Sequence, residues 1–183
     1  MKNSVLKTSK KGQIMICVVV GLVLIATILF LNFKTTNRFE IVKKEIISLS
    51  ESIRDSYKSK PDYRGLNTES VAEIAPQELK RKNKIVSSIG REFIVGQDEN
   101  GSIIMPSQRV FMISINNLSK KSCEQIAVLN ILENNLYGLQ KVIIKNSDYQ
   151  INFELGGEYP LPITEENADK FCKNKNTVSW VFE

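Results

Sequence analysis

Residues 14–33 read Ile-Met-Ile-Cys-Val-Val-Val-Gly-Leu-Val-Leu-Ile-Ala-Thr-Ile-Leu-Phe-Leu-Asn-Phe, and beyond them Phe39, Val42, Ile46, Leu49, Ile53 and Tyr57 recur at steps of three and four. The first stretch is apolar on every face, and Asn32 near its end is its one strongly polar side chain. As a helix it has about the length that crosses a hydrocarbon core of roughly 30 Å. A buried core helix is the competing reading, but a domain this small rarely encloses a helix apolar all round. The second stretch is an amphipathic stripe, with Lys, Glu, Ser and Arg filling the other positions. Neither Gly nor Pro interrupts residues 33–39, so one helix of roughly 45 residues, close to 70 Å at 1.5 Å per residue, is expected to run until Pro61 stops it.

Outward from the apolar stretch, residues 1–33 contain Lys2, Lys7, Lys10 and Lys11 and no acid. The positive-inside rule therefore puts the N-terminus in the cytoplasm, although Lys34, Arg38, Lys43 and Lys44 weaken the asymmetry. No A-x-A-like site follows Phe33, so a retained span fits better than a cleaved secretory signal. The expected layout is a basic cytoplasmic leader at 1–12, a long helix at 13–60 (transmembrane 14–33, amphipathic 34–60) and a globular head at 61–183.

The 183-residue chain has room for one ordinary domain. It has no histidine, which excludes Ser-His-Asp and Cys-His catalysis, His-ligated metals and a histidine pH switch. Three cysteines are too few for an all-thiolate zinc site, and no metal or other cofactor is expected. Residues 34–183 carry 21 basic and 20 acidic side chains, so no nucleic-acid-binding body is indicated. No P-loop, GxGxxG, HExxH or GxSxG motif occurs, and the adjacent carboxylates Asp98-Glu99 and Glu165-Glu166 fall in turn-like contexts. No enzyme is expected.

In the head, Tyr63-Arg-Gly-Leu predicts a turn and residues 68–74 a short helix capped by Asn67 or Thr68. Lys80-Arg-Lys-Asn-Lys is expected to be a solvated loop, with a specific anion site as the lesser alternative. Strands are predicted at 92–96 and 102–105 around Asn100-Gly101, then at 109–115, 142–145, 150–155 and 177–182. Helices are predicted at 119–132, with Cys123, Ile126, Ala127, Ile131 and Asn130 on one side, and at 165–172, capped by Thr164. Strands clustered without βαβ alternation give an α+β fold with an antiparallel sheet, one face covered by the long helix. Cys17 lies in the apolar stretch as a small hydrophobe. Cys123 and Cys172 share the head, in an oxidising compartment by the orientation argument, where a disulfide is the natural reading. It would close a loop of about 50 residues, contributing roughly 4 kcal/mol in the chain-entropy model. The competing role is a reactive thiol, which nothing obvious here activates.

Lys10-Lys11-Gly12 before an unbroken apolar helix resembles a prepilin cleavage motif. The run from Phe111 through Asn116-Asn117 to Cys123 resembles the strand that enters a cysteine-bearing helix, and Asp169-Lys-Phe-Cys172 followed by 174–182 resembles the ending of the same family. The whole is similar to a type IV pilin, and within that group to the type IVb branch that includes pilins of conjugative thin pili. The resemblance implies the pilin α/β roll and a prepilin peptidase cut between Gly12 and Gln13, with methylation of Gln13. It implies partners among other pilin subunits and the inner-membrane assembly machinery, and membrane lipid before assembly. Subunits would bundle their apolar halves, Cys17 and Gly21 lying in the packed segment. Pilins usually place a glutamate fifth after the cut, where this chain has Cys17. Relatives without it tend to be minor subunits, so the resemblance implies a minor or pilin-like subunit located in the inner membrane, then in a pilus. The alternatives are an uncleaved single-pass envelope protein that binds a partner or ligand through its head and, with less to name, a membrane-tethered enzyme.

Overall fold

A computed structural model describes residues 10–96, 110–131 and 138–183, and within the first helix describes side chains at 18–27 and from Arg38 onward. The chain divides into two units, Met1–Asn37 and Arg38–Glu183. Helix α1 runs Lys10–Tyr57.

In the first unit Val18, Val19, Val20, Leu22, Val23, Leu24 and Ile25 are all more than half exposed. The Thr27 hydroxyl, the one polar side chain among residues 18–27, donates to Val23 O at 2.7 Å and so is satisfied inside the helix. Among the described residues no helix is long and apolar enough to cross a membrane. The described part of the expected span is 18–27, about 15 Å of helix and half of what a bilayer core of about 30 Å needs. The described residues therefore give the expected single-pass anchor no support.

In the second unit α1 buries Phe39, Val42, Ile46, Leu49, Ile53 and Tyr57 in one stripe and stops at Tyr57. The chain turns at Gly65, whose φ of 81° suits glycine, with Leu66 N–H donating to Tyr63 O at 3.0 Å. Helix α2 (Thr68–Ile74) starts at Asn67, which forms a capping box with Ser70. Strands β1 (Lys80–Arg81) and β2 (Lys84–Ile85) make a tight hairpin where a loop was expected. Leu79 and Ile85 bury its flanks, and Lys82 takes the left-handed turn position with φ of 56°.

The main sheet has five antiparallel strands in the order β3-β4-β7-β5-β6. These are β3 (Phe93–Gly96), β4 (Phe111–Leu118), β5 (Leu139–Lys145), β6 (Gln150–Glu154) and β7 (Asn176–Phe182). Helix α3 (Lys120–Ala127) follows β4, and α4 (Glu165–Phe171) precedes Cys172. The inner face of the sheet (Phe93, Phe111, Ile113, Val142, Phe153, Val178, Trp180 and Phe182 among others) forms one core with the α1 stripe. Both faces of β7 are buried: Val181 packs with Met112 and Ile143 on the outer face, beside a Ser114–Ser179 hydroxyl pair at 2.8 Å. The α+β fold with its antiparallel sheet is thus as expected, and its closing strand is central.

Two other expectations shift at their ends. β4 continues to Leu118 through an irregularity after Ile115, with Asn117 at φ 56°. α3 ends at Ala127 with Val128 as C-cap; Ile131 is buried beyond it and Asn130 is exposed. The expected strand 102–105, the Asn100-Gly101 turn, Arg109 and Leu132 lie outside the described residues, as do residues 1–9 of the leader.

Candidate functional site

Among the described residues no group of His, Cys, Asp or Glu could hold a metal ion. Two grooves are open. One, of about 250 Å³ on the outer sheet face, includes Ile94, Met112, Ser114, Thr177 and Ser179. The other, of about 280 Å³ between α3 and α4, includes Glu124, Val128, Glu165 and Asp169.

The apolar surface of α1 is the first candidate. Gly21 sits among exposed valines and leucines, and an added Cβ there would meet nothing within 4 Å. Gly12, Gln13 and Cys17 lie on the helical backbone of α1, and the side chains of Gln13 and Cys17 fall outside the described set.

The second candidate is the region tied by Cys123 and Cys172, which form a disulfide with 5.7 Å between Cα atoms at a sequence separation of 49. Both cysteines are fully buried, Cys123 on α3 and Cys172 as the C-cap of α4. Ser119 caps α3 by accepting from Ser122 N–H at 3.2 Å, and Thr164 caps α4 by accepting from Asn167 N–H at 3.2 Å. Across the two helices Lys120 Nζ donates to Asp169 at 2.7 Å and lies 3.5 Å from Glu124. The hydrogen bond from Lys120 holds the Asp169 carboxyl below its ordinary range and in return raises the Lys120 ammonium.

Asn176 fixes the approach to β7. Its side chain accepts from Lys173 N–H at 2.8 Å and donates to Leu118 O at 3.3 Å and to Lys173 O. The resemblance covered 174–182 without singling out this residue; Lys175 at φ 60° is the strained neighbour that the turn needs. A second feature it missed is Glu45 on α1, whose two carboxylate oxygens accept from Ser88 N–H at 3.0 Å each, with the Ser88 hydroxyl at 3.3 Å. Burial, with Glu78 adding repulsion, pushes the Glu45 pKa up, against the Ser88 hydrogen bonds. A polar residue beside an apolar stripe gives no sequence signal of its partner 43 residues away.

The architecture is similar to that of TcpA, a type IV pilin from Vibrio cholerae El Tor biotype. The TM-score is 0.53 at 10% identity, covering 80% of this chain and 99% of that one. A type IVb pilin from Salmonella typhi aligns with a TM-score of 0.48 at 14% identity, over 73% of this chain and 93% of that one. No protein-family model matches the sequence, and no curated protein matches it.

Proposed function

We propose that this chain, which has the type IV pilin fold, is a subunit or assembly initiator of a type IVb-like pilus, acting in pilus biogenesis, adhesion or conjugative mating contact. The observation that carries the reading is the exposed apolar surface at Val18 to Ile25 in a chain of this fold. Large aliphatic side chains each gain roughly 1.5–3 kcal/mol on full burial, so such a surface calls for lipid or for a bundle of like helices.

In this reading residues 1–12 are a basic cytoplasmic leader, 13–60 the long helix and 61–183 the head. Residues 14–33 anchor the chain in the inner membrane with the head outside, before it joins a filament at the cell surface. A prepilin peptidase cuts between Gly12 and Gln13, and Gln13 is methylated. The segment with Cys17 and Gly21 then packs against other subunits in the assembly machinery and the filament. Cys17 occupies the position where pilins usually carry a glutamate, and this supports a minor subunit over the main building block.

Gln13, an unusual first residue for a mature pilin, favours a second reading, an uncleaved single-pass envelope protein that works through its head. Intact mass and N-terminal sequence of the full chain, with and without an active prepilin peptidase, separate the two. A peptidase-dependent start at Gln13 with one added methyl group is the expected result. A start at Met1 in both backgrounds overturns the processed-pilin reading.

A further inference from the structure

Charge in the Arg38–Glu183 unit is balanced in total and unevenly distributed along the chain. The unit holds 20 Lys and Arg against 20 Asp and Glu, while residues 38–45 and 78–92 alone hold eight basic and four acidic side chains. This patch is therefore +4, and the rest of the unit is −4. The two stretches are held together: Ser88 is bonded to Glu45, and Val42, Ile46, Leu79 and Ile85 share one core. The β1–β2 hairpin lies between Leu79 and Ser88, and with strands of two residues its tip at Lys82 is three residues, about 10 Å, from Leu79. Arg38 is on the same helix face as Glu45, two turns or about 10 Å away.

Only part of this positive charge is neutralised locally. Lys84 pairs with Glu92 at 2.7 Å. Lys80 and Arg81 turn onto backbone carbonyls, of Glu73 at 2.7 Å and of Glu78 and Lys80 at 3.0 and 2.8 Å, which keeps their charge without a counterion. Arg38, Lys44 and Lys82 are exposed and make no ion pair among the described residues.

We infer that this patch docks on anionic lipid headgroups while the chain is in the membrane, holding the head base-down on the leaflet. The inference rests on the membrane-anchored stage of the proposed function. Its ground is continuity of charge and chain: Arg38 follows Phe33 by five residues, which is about 8 Å of helix and no more than about 18 Å of extended chain. A cationic patch tethered that close to a hydrocarbon segment meets headgroups before any other anionic partner. The −4 remainder is repelled from the same leaflet, so attraction and repulsion favour one orientation.

The test uses the full chain in vesicles of neutral phosphatidylcholine, or of phosphatidylcholine with roughly one-third phosphatidylglycerol. A fluorophore on Asn83→Cys, in a Cys17→Ser background, reports access of the neutral quencher acrylamide to the hairpin tip. The expected result is shielding only in the anionic vesicles, abolished by about 0.5 M salt, where the screening length is about 4 Å. Lys82→Gln and Lys44→Gln should each lower the docking equilibrium about fivefold, the effect of one cation near an anionic surface; Lys44 is a helical surface position and serves if Lys82→Gln disturbs the turn. Equal quenching in both vesicles with the chain inserted, or shielding that survives high salt, overturns the docking and leaves the pilus reading intact. A chain that floats with neither vesicle overturns both.

Discussion

The head fastens its two irregular regions in different ways. Residues 62–96 are held by polar side chains: the Asn67–Ser70 capping box, the Glu45–Ser88 clasp, and Thr68, whose hydroxyl accepts from Val95 N–H at 2.9 Å and donates to Val95 O at 3.3 Å. The last pair also blocks the outward backbone groups of edge strand β3. Residues 119–176 are held covalently by Cys123 and Cys172 and by the buried Asn176 amide. The first region adjoins a helix that is already ordered by its stripe, so weak contacts suffice. The second bridges strands far apart in sequence, where a crosslink removes the most chain entropy.

The comparison breaks most visibly at the disulfide. Cys123→Ser, Cys172→Ser and the double variant should each lose about 2–5 kcal/mol and accumulate poorly. Melting curves like wild type for all three would mean that the covalent tie contributes nothing. Next, Asn176→Ala should cost about 1–3 kcal/mol by orphaning Lys173 N–H and the Leu118 and Lys173 carbonyls, read by urea denaturation. In the other region Asn67→Ala and Thr68→Val should each cost about 1 kcal/mol; losses as large as those at the disulfide would erase the distinction.

The smallest effects are in pH dependence, and they have opposite signs. Glu45 is raised by burial, so the folded state binds its proton more tightly than the unfolded chain. Its contribution to stability is greatest below about pH 4.5 and falls as pH rises through the folded pKa. Asp169 is lowered by Lys120, so its contribution is present above about pH 3.8 and is lost as pH falls through the folded pKa. Because Asp169 is fully exposed, its effect should also fade with salt. Stability-versus-pH curves of Glu45→Gln and Asp169→Asn, each set against wild type, should deviate in opposite directions; deviations of one sign would show that the two clasps do not differ as described.

Much of this was legible in the sequence because the signals are local. The stripe from Phe39 to Tyr57 announces its own buried face, and Asn67 and Thr164 sit where helix starts need a side-chain acceptor. The β1–β2 hairpin was hidden because four cations in five residues read as solvent-facing, although only Leu79 and Ile85 beside them decide the fold there. The central place of β7 was hidden for another reason. Thr177-Val-Ser-Trp-Val-Phe alternates well enough for an edge, and nothing within it records that Met112 and Ile143 will cover its second face. The Cys123–Cys172 pair was legible from compartment and cysteine usage, whereas Gly12, Gln13, Cys17 and Gly21 were expected only through resemblance; Glu45 and Asn176 gave no cue, since each partner lies in another element.

The place of β7 has a consequence for biogenesis. It joins β4 to β5, and Ser114 meets Ser179 across 65 residues of chain. Until Asn176–Phe182 has been made, the sheet exists at most as two separate hairpins, β3–β4 and β5–β6, with the inner faces that Trp180 and Phe182 will cover still wet. Synthesis from the N-terminus therefore delivers the keystone after every strand it must join, and a closure of such high contact order is slow. A nascent chain arrested before Asn176 leaves those apolar faces exposed, as incomplete folds do, and the waiting interval ends with the arrival of one seven-residue strand.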